Sequence, residues 1–180
     1  MEQIATKMVL GVFSNTTDAN EAVRKLEAQG YNPKNMSIIM KEDTVTSLPH
    51  TDHVTDTVAT GVTAGGALGA LAGLLIGIGA LAVPGAGALL IGGPIAAALG
   101  LTGAAATTVS GAVTGALAGG LVSGLVGLGI PEPEAAYYES QIKAGAILLA
   151  VPTLTDREDE AREILEGCSA TQIRSVPMHL

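Results

Sequence analysis

The sequence predicts an α+β fold: a ferredoxin-like βαβ-βαβ domain split by a long Gly/Ala-rich helical hairpin insert. Three observations predict it. No Asp, Glu, Lys, Arg or His occurs from Thr57 to Pro131, while charge is mixed normally on both sides of that stretch. Each flank reads as strand, helix, strand. Inside the uncharged stretch small residues recur at every fourth position, the spacing of a helix face. The chain therefore divides into 1–56, a first β-α-β half with a linker; 57–131, the apolar hairpin; and 132–180, a linker helix with the second half.

In the first half, Lys7 to Phe13 (KMVLGVF) has the length and apolar character of a strand. Thr17 or Asp18 is placed to cap a helix, and Asp18 followed by Glu21 gives its first turn a capping-box character. Ala19, Ala22, Val23 and Leu26 follow at helical spacing. Gly30 suits the helix C-terminus, where φ is often positive, and Pro33 keeps the helix from resuming. Met36 to Met40 (MSIIM) is the second strand.

The last zone repeats the plan. Pro133 to Lys143 reads as a short helix ended by Gly145. Ala146 to Val151 (AILLAV) is a strand stopped at Pro152. Thr155 with Glu158 has capping-box spacing, and Ala161, Ile164, Leu165 and Cys168 make the apolar stripe of the helix that follows, with Gly167 near its end. Gln172 to Val176 is a final strand. Neither half buries its apolar face alone. Joined, they predict a four-stranded sheet with two helices on one face.

The insert carries the strongest pattern. Gly61, Gly65, Gly69, Gly73 and Gly77 form one row, and Gly103, Thr107, Gly111, Gly115, Gly119, Ser123 and Gly127 form a second. Val109, Val113, Leu117, Leu121 and Leu125 lie two residues out of step with the second row, about 200° around the helix. One face is smooth and the opposite face is bulky. Glycine costs roughly 0.8–1 kcal/mol against Ala in a helix interior. Close helix-helix approach through small faces compensates, with a right-handed crossing for a four-residue period. Thr57–Val83 and Ala104–Ile130 are each long enough to span a bilayer, at about 20 residues per crossing. The glycines weaken their hydropathy, so a paired or oligomeric hairpin is expected rather than a lone span. Both ends of the insert join the same sheet, so the crossings must be even in number. Pro84–Leu101, broken at Gly92, Gly93 and Pro94, is then the far tip.

Composition narrows the function. A formal net charge of -8 excludes a duplex nucleic acid partner. Phe13, Tyr31, Tyr137 and Tyr138 are the only aromatic residues, few for a pocketed enzyme. Cys168 stands alone and reads as a small buried apolar residue. Met1–Lys7 has no secretory pattern, which places the polar zones on the cytoplasmic side. His50 and His53, with Asp52 and Asp56, are the only metal-like spacing; they sit in a Ser/Thr/Asp-rich linker and read as solvated, so no metal and no cofactor is expected. The insert glycines lack the Lys and the strand-turn-helix setting of a phosphate loop. Glu158, Asp159 and Glu160 read as the solvated first turn of a helix. Tyr137 and Tyr138, just beyond the uncharged zone, fit either an interfacial anchor or packing under the sheet. No catalytic constellation is expected.

The opening VLGVFSNTTDANEAVRKLEAQGYNPKNMSII (Val9–Ile39), the glycine-zipper insert and the closing YYESQIKAGAILLAVPTLTDREDEAREILEGCSA (Tyr137–Ala170) resemble a bacterial family: the heat-induced general stress proteins and their low-temperature-induced relatives. The resemblance implies a stress-induced protein without an established catalytic site, and it transfers no functional residues. The expectation is a non-enzymatic, membrane-associated stress protein that oligomerises with itself through the zipper glycines, its partners being further copies and the lipid bilayer. Two alternatives accompany it. One is a soluble self-assembling tube, stalk or shell whose hydrophobic core carries lipid or quinone. The other is a membrane-anchored module regulated by a small ligand.

Overall fold

The computed structural model describes residues 7–41, 44, 79–83, 87–93, 95 and 120–177. The first half is β1 (Lys7–Phe13), α1 (Thr16–Ala28) and β2 (Ser37–Lys41). Two strands from the insert follow, β3 (Gly79–Val83) and β4 (Gly87–Gly92). The chain continues through α2 (Gly120–Gly127), α3 (Glu132–Lys143), β5 (Ile147–Thr153), α4 (Glu158–Gly167) and β6 (Thr171–Pro177).

Helix α1 begins earlier than expected. Asn15 is its cap, accepting from the Asp18 backbone N–H at 2.8 Å, so Thr17 and Asp18 lie inside the first turn. Gly30 (φ +86°) and Gly145 (φ +102°) take the left-handed conformation that ends α1 and α3. Helix α4 starts at Glu158, after a 3-10 turn over Thr155–Arg157.

The strands form one antiparallel sheet in the order β3-β4-β2-β5-β1-β6. The two halves interleave. β5 of the second half lies between β1 and β2 of the first, with Val9 opposite Val151 and Ile38 opposite Leu149. This explains why β1, β2 and β5 are apolar at successive positions: they are buried on both faces.

Two layers of helix cover the sheet. On the first face α1 and α4 pack Val23, Leu26, Ala161 and Leu165 against Val9, Phe13 and Ile38. On the second face α2 and α3 pack Leu121, Leu125, Tyr138 and Ile142 against Leu10, Ile39 and Leu148. The expected plan, with helices on one face only, is thus corrected. A bare second face would expose Leu10, Ile39 and Leu148 to water, and the tail of the insert together with α3 removes that surface.

The insert departs from a helical hairpin in three places. Of the helix expected over Thr57–Val83, residues Gly79–Val83 are strand β3 instead, and 57–78 lie outside the described residues. The expected far tip, Pro84–Leu101, contributes β4, which pairs with β2 from Ile38 opposite Gly92 to Lys41 opposite Leu89. The span expected over Ala104–Ile130 ends as α2 at Gly127, followed by a turn at Leu128–Gly129 with Gly129 at φ +92°. Among the described residues, no helix is long and apolar enough to cross a membrane.

Candidate functional site

The insert meets the sheet at a tightly constrained junction. β4 ends at Gly92, and Gly93 follows at φ +84°. A Cβ at Gly93 would lie 2.0 Å from the Met36 carbonyl oxygen and 2.8 Å from the Ser37 Cα. Only glycine permits that approach, both by its positive φ and by its missing side chain. Two residues further, the buried Ser37 hydroxyl accepts from the Ile95 backbone N–H at 3.0 Å. Leu89, Ile91 and Ile95 then enter the same core as Leu121 and Leu125. The insert is thus fastened by a strand ladder, a glycine contact and a buried hydrogen bond.

Helix α2 is fastened from α3. The Glu139 carboxylate accepts from the Val122 backbone N–H at 3.1 Å, filling an open donor of the first turn, and also pairs with Lys143. Within α2 the bulky row turns inward: Leu121 and Leu125 are fully buried. The small row turns outward: Ser123 and Gly127 are exposed, and a Cβ at Gly127 would meet nothing within 4 Å. Val126 and Tyr137 are the exposed large apolar side chains among the described residues. Tyr138 packs under the sheet, edge-on to Tyr137 at 6.2 Å, and its hydroxyl donates to the Gln172 carbonyl at 3.2 Å. Burial, with Glu134 adding a smaller effect, pushes its pKa up to about 12.

The first face has a polar seam at the start of α4. The Arg157 guanidinium lies over the Tyr31 ring, 4.4 Å from its centre. It also donates to the Gln29 carbonyl at 2.8 Å, at the C-terminal end of α1, and to Glu160 at 2.7 Å. The Tyr31 hydroxyl donates to the Arg157 carbonyl at 3.1 Å, and burial raises its pKa. Glu158 pairs with Lys7 and with Arg162, and the Lys7 ammonium holds its carboxyl below the usual range. With the Tyr31 hydroxyl also 3.4 Å from the Thr153 hydroxyl, these groups join β1, α1, β5 and α4. Each charged group has a protein partner, which is the arrangement of a structural clasp.

Cys168 is buried beside Lys25, and burial raises its thiol pKa, which makes it a poor nucleophile. A shallow open groove of about 360 Å³ runs between α1 and α4, lined by Lys25, Gln29, Glu160, Glu163, Ile164 and Gly167. Its walls mix both charges and lack the apolar lining of a small-molecule site. No metal-binding group of three His, Cys, Asp or Glu residues occurs among the described residues. His50, His53 and the zipper positions Gly61, Gly65, Gly69, Gly73, Gly77, Gly103, Gly111, Gly115 and Gly119 lie outside the described residues. Sequence reasoning read Gly93 only as a break in the far tip and missed Ser37 and Glu139. Their partners, Met36, Ile95 and Val122, are set by docking and leave no local pattern.

Residues 8–86 match the family of the heat-induced stress protein YflT domain. The match begins in β1 and ends between β3 and β4, so it takes in the first β-α-β half, the row Gly61–Gly77 and the first strand of the insert. The first zipper row therefore lies within the stretch similar to that family, while α2, α3 and the second β-α-β half lie beyond it. No curated protein and no solved structure matches the chain.

Proposed function

We propose that this protein is a non-enzymatic stress-response protein that associates with a lipid bilayer and with further copies of itself through its uncharged insert, its ferredoxin-like sheet domain remaining on the cytoplasmic side. One observation carries the reading: the whole stretch Thr57–Pro131 lacks a charged residue and repeats small residues at helical spacing. The outward small row at Ser123 and Gly127 supports the self-association, because it leaves a smooth helix face open to another helix. The YflT match supports the stress role. The sheet domain, with its clasped charges, acts as the scaffold.

A second reading is favoured by a specific observation. Leu89, Ile91, Ile95, Leu121 and Leu125 belong to the insert and are buried against protein. That suits a self-assembling particle in which the remaining apolar residues meet their counterparts in other copies. Fractionation separates the two readings. Full-length protein that pellets with membranes, resists alkaline carbonate and dissolves in mild detergent supports bilayer association. Protein that stays in the supernatant as a large particle sinks it in favour of self-assembly.

A further inference from the structure

The pairing of β4 with β2 sets a condition on the insert. β4 lies in sequence between the two stretches that could cross a bilayer, one ending before Gly79 and the other starting after Ile95. If each stretch crossed once, β4 would emerge on the opposite side of the bilayer from β2. Yet Ile38, Ile39, Met40 and Lys41 of β2 stand opposite Gly92, Ile91, Leu90 and Leu89 of β4. Nor can either stretch cross twice on its own: two crossings need about 40 residues, more than the uncharged residues between Thr57 and Gly79, or those between Ile95 and Gly120.

We infer that β3-β4 is a releasable strap: docked on β2 it keeps the insert out of the bilayer, and the insert crosses the bilayer only when the strap leaves the sheet. The inference rests on the bilayer reading above. Its latch consists of Gly93 against Met36 and Ser37, the Ile95–Ser37 hydrogen bond, and the burial of Leu89 and Ile91 in the same core as Leu121 and Leu125 of α2. The two states compete for the same residues. Leu89, Ile91 and Leu121 are shielded by protein in the docked state; on release that burial is given up and the burial of the uncharged stretches in lipid replaces it. The backbone donors and acceptors of β4 are what the docked state satisfies with β2, and the YflT match ends where this strap turns. A fold that can exchange one burial for another has the two arrangements a switch needs.

Two variants test it in opposite directions, in full-length protein mixed with liposomes. Met40 and Leu90 are directly opposite each other, at a separation that antiparallel pairing makes compatible with a disulfide. The double variant Met40→Cys with Leu90→Cys, in a Cys168→Ser background, locks the strap when oxidised. The expected result is protein that carbonate washes from the liposomes when oxidised and that becomes carbonate-resistant by about tenfold when reduced. Gly93→Ala removes the latch and is expected to raise the resistant fraction above that of the parent. Oxidised protein as resistant as reduced protein overturns the strap and leaves the bilayer reading standing. Protein that never becomes resistant, locked or reduced, overturns both. Protease protection of the β4 region by intact liposomes provides a second readout that does not depend on Gly93→Ala folding well.

Discussion

The two faces of the sheet are covered by helices of different kinds. On the first face α1 and α4 are amphipathic and carry charge outward, with Glu21–Lys25 and Glu158–Arg162 pairs along their surfaces. On the second face α2 contains no charged residue at all, and its outward row is Ser123 and Gly127 beside the exposed Val126. The first layer is built to face water permanently. The second pairs the charged helix α3 with α2, a piece of the insert whose outer surface suits another apolar surface as well as it suits water. The difference teaches that burial on this sheet has two origins: the first layer belongs wholly to the flanking halves, while the second joins α3 of the second half to α2 lent by the insert.

The largest effects should come from cutting into each layer. Leu165→Ala on the first face and Leu125→Ala on the second each remove a fully buried side chain, at about 2–5 kcal/mol. Their consequences should differ. Leu165→Ala is expected to lower the melting temperature of the whole domain. Leu125→Ala is expected to lower hydrogen-exchange protection in α2 and β4 while β1 and β5 keep theirs. Equal loss of protection across all strands would erase the distinction between the layers.

Gly93→Ala should rank next, at roughly 1–3 kcal/mol, because the new Cβ has neither the backbone conformation nor the space it needs. Denaturant unfolding followed on β4 amides would read it. A wild-type midpoint would remove Gly93 from the latch. Arg157→Ala should cost about 1–2 kcal/mol by taking away the ring contact with Tyr31 and the donor to the Gln29 carbonyl. The loss should appear at the α1–α4 seam and leave α2 unaffected.

The smallest effects are those of pH, and they separate the faces again. The Glu158 pKa is lowered in the fold, so its pair with Lys7 contributes fully above the ordinary carboxylate range. That contribution disappears as pH falls through the lowered native value. Tyr138 is raised to about 12, so its neutral form stabilises the fold below the ordinary tyrosine range, near pH 10. That stability is lost as pH rises toward 12. Melting followed across pH should show Glu158→Gln flattening the acid limb and Tyr138→Phe flattening the alkaline limb. An unchanged alkaline limb in Tyr138→Phe would show that this tyrosine is not the group that titrates there.

The charge-free zone, the helices and the strands of both halves were readable in the sequence, because each rests on local chemistry, periodicity and turn glycines; the caps were not, since Asn15 caps α1 and α4 starts at Glu158 without a side-chain cap. Tyr138 was readable only as two alternatives, and the fold chose burial because its hydroxyl finds the Gln172 carbonyl. The region 79–92 was read wrongly. GALAV and GALLIG are short apolar runs, and such runs carry no period that separates strand from buried helix. What decides them is the open edge of β2, whose unpaired donors and acceptors take a strand and cannot take a helix. The sequence by itself determined which residues avoid water. The tertiary structure decided which of them meet the sheet, because that depends on a hydrogen-bonding edge and a gap beside Met36 that exist only once β2 is in place.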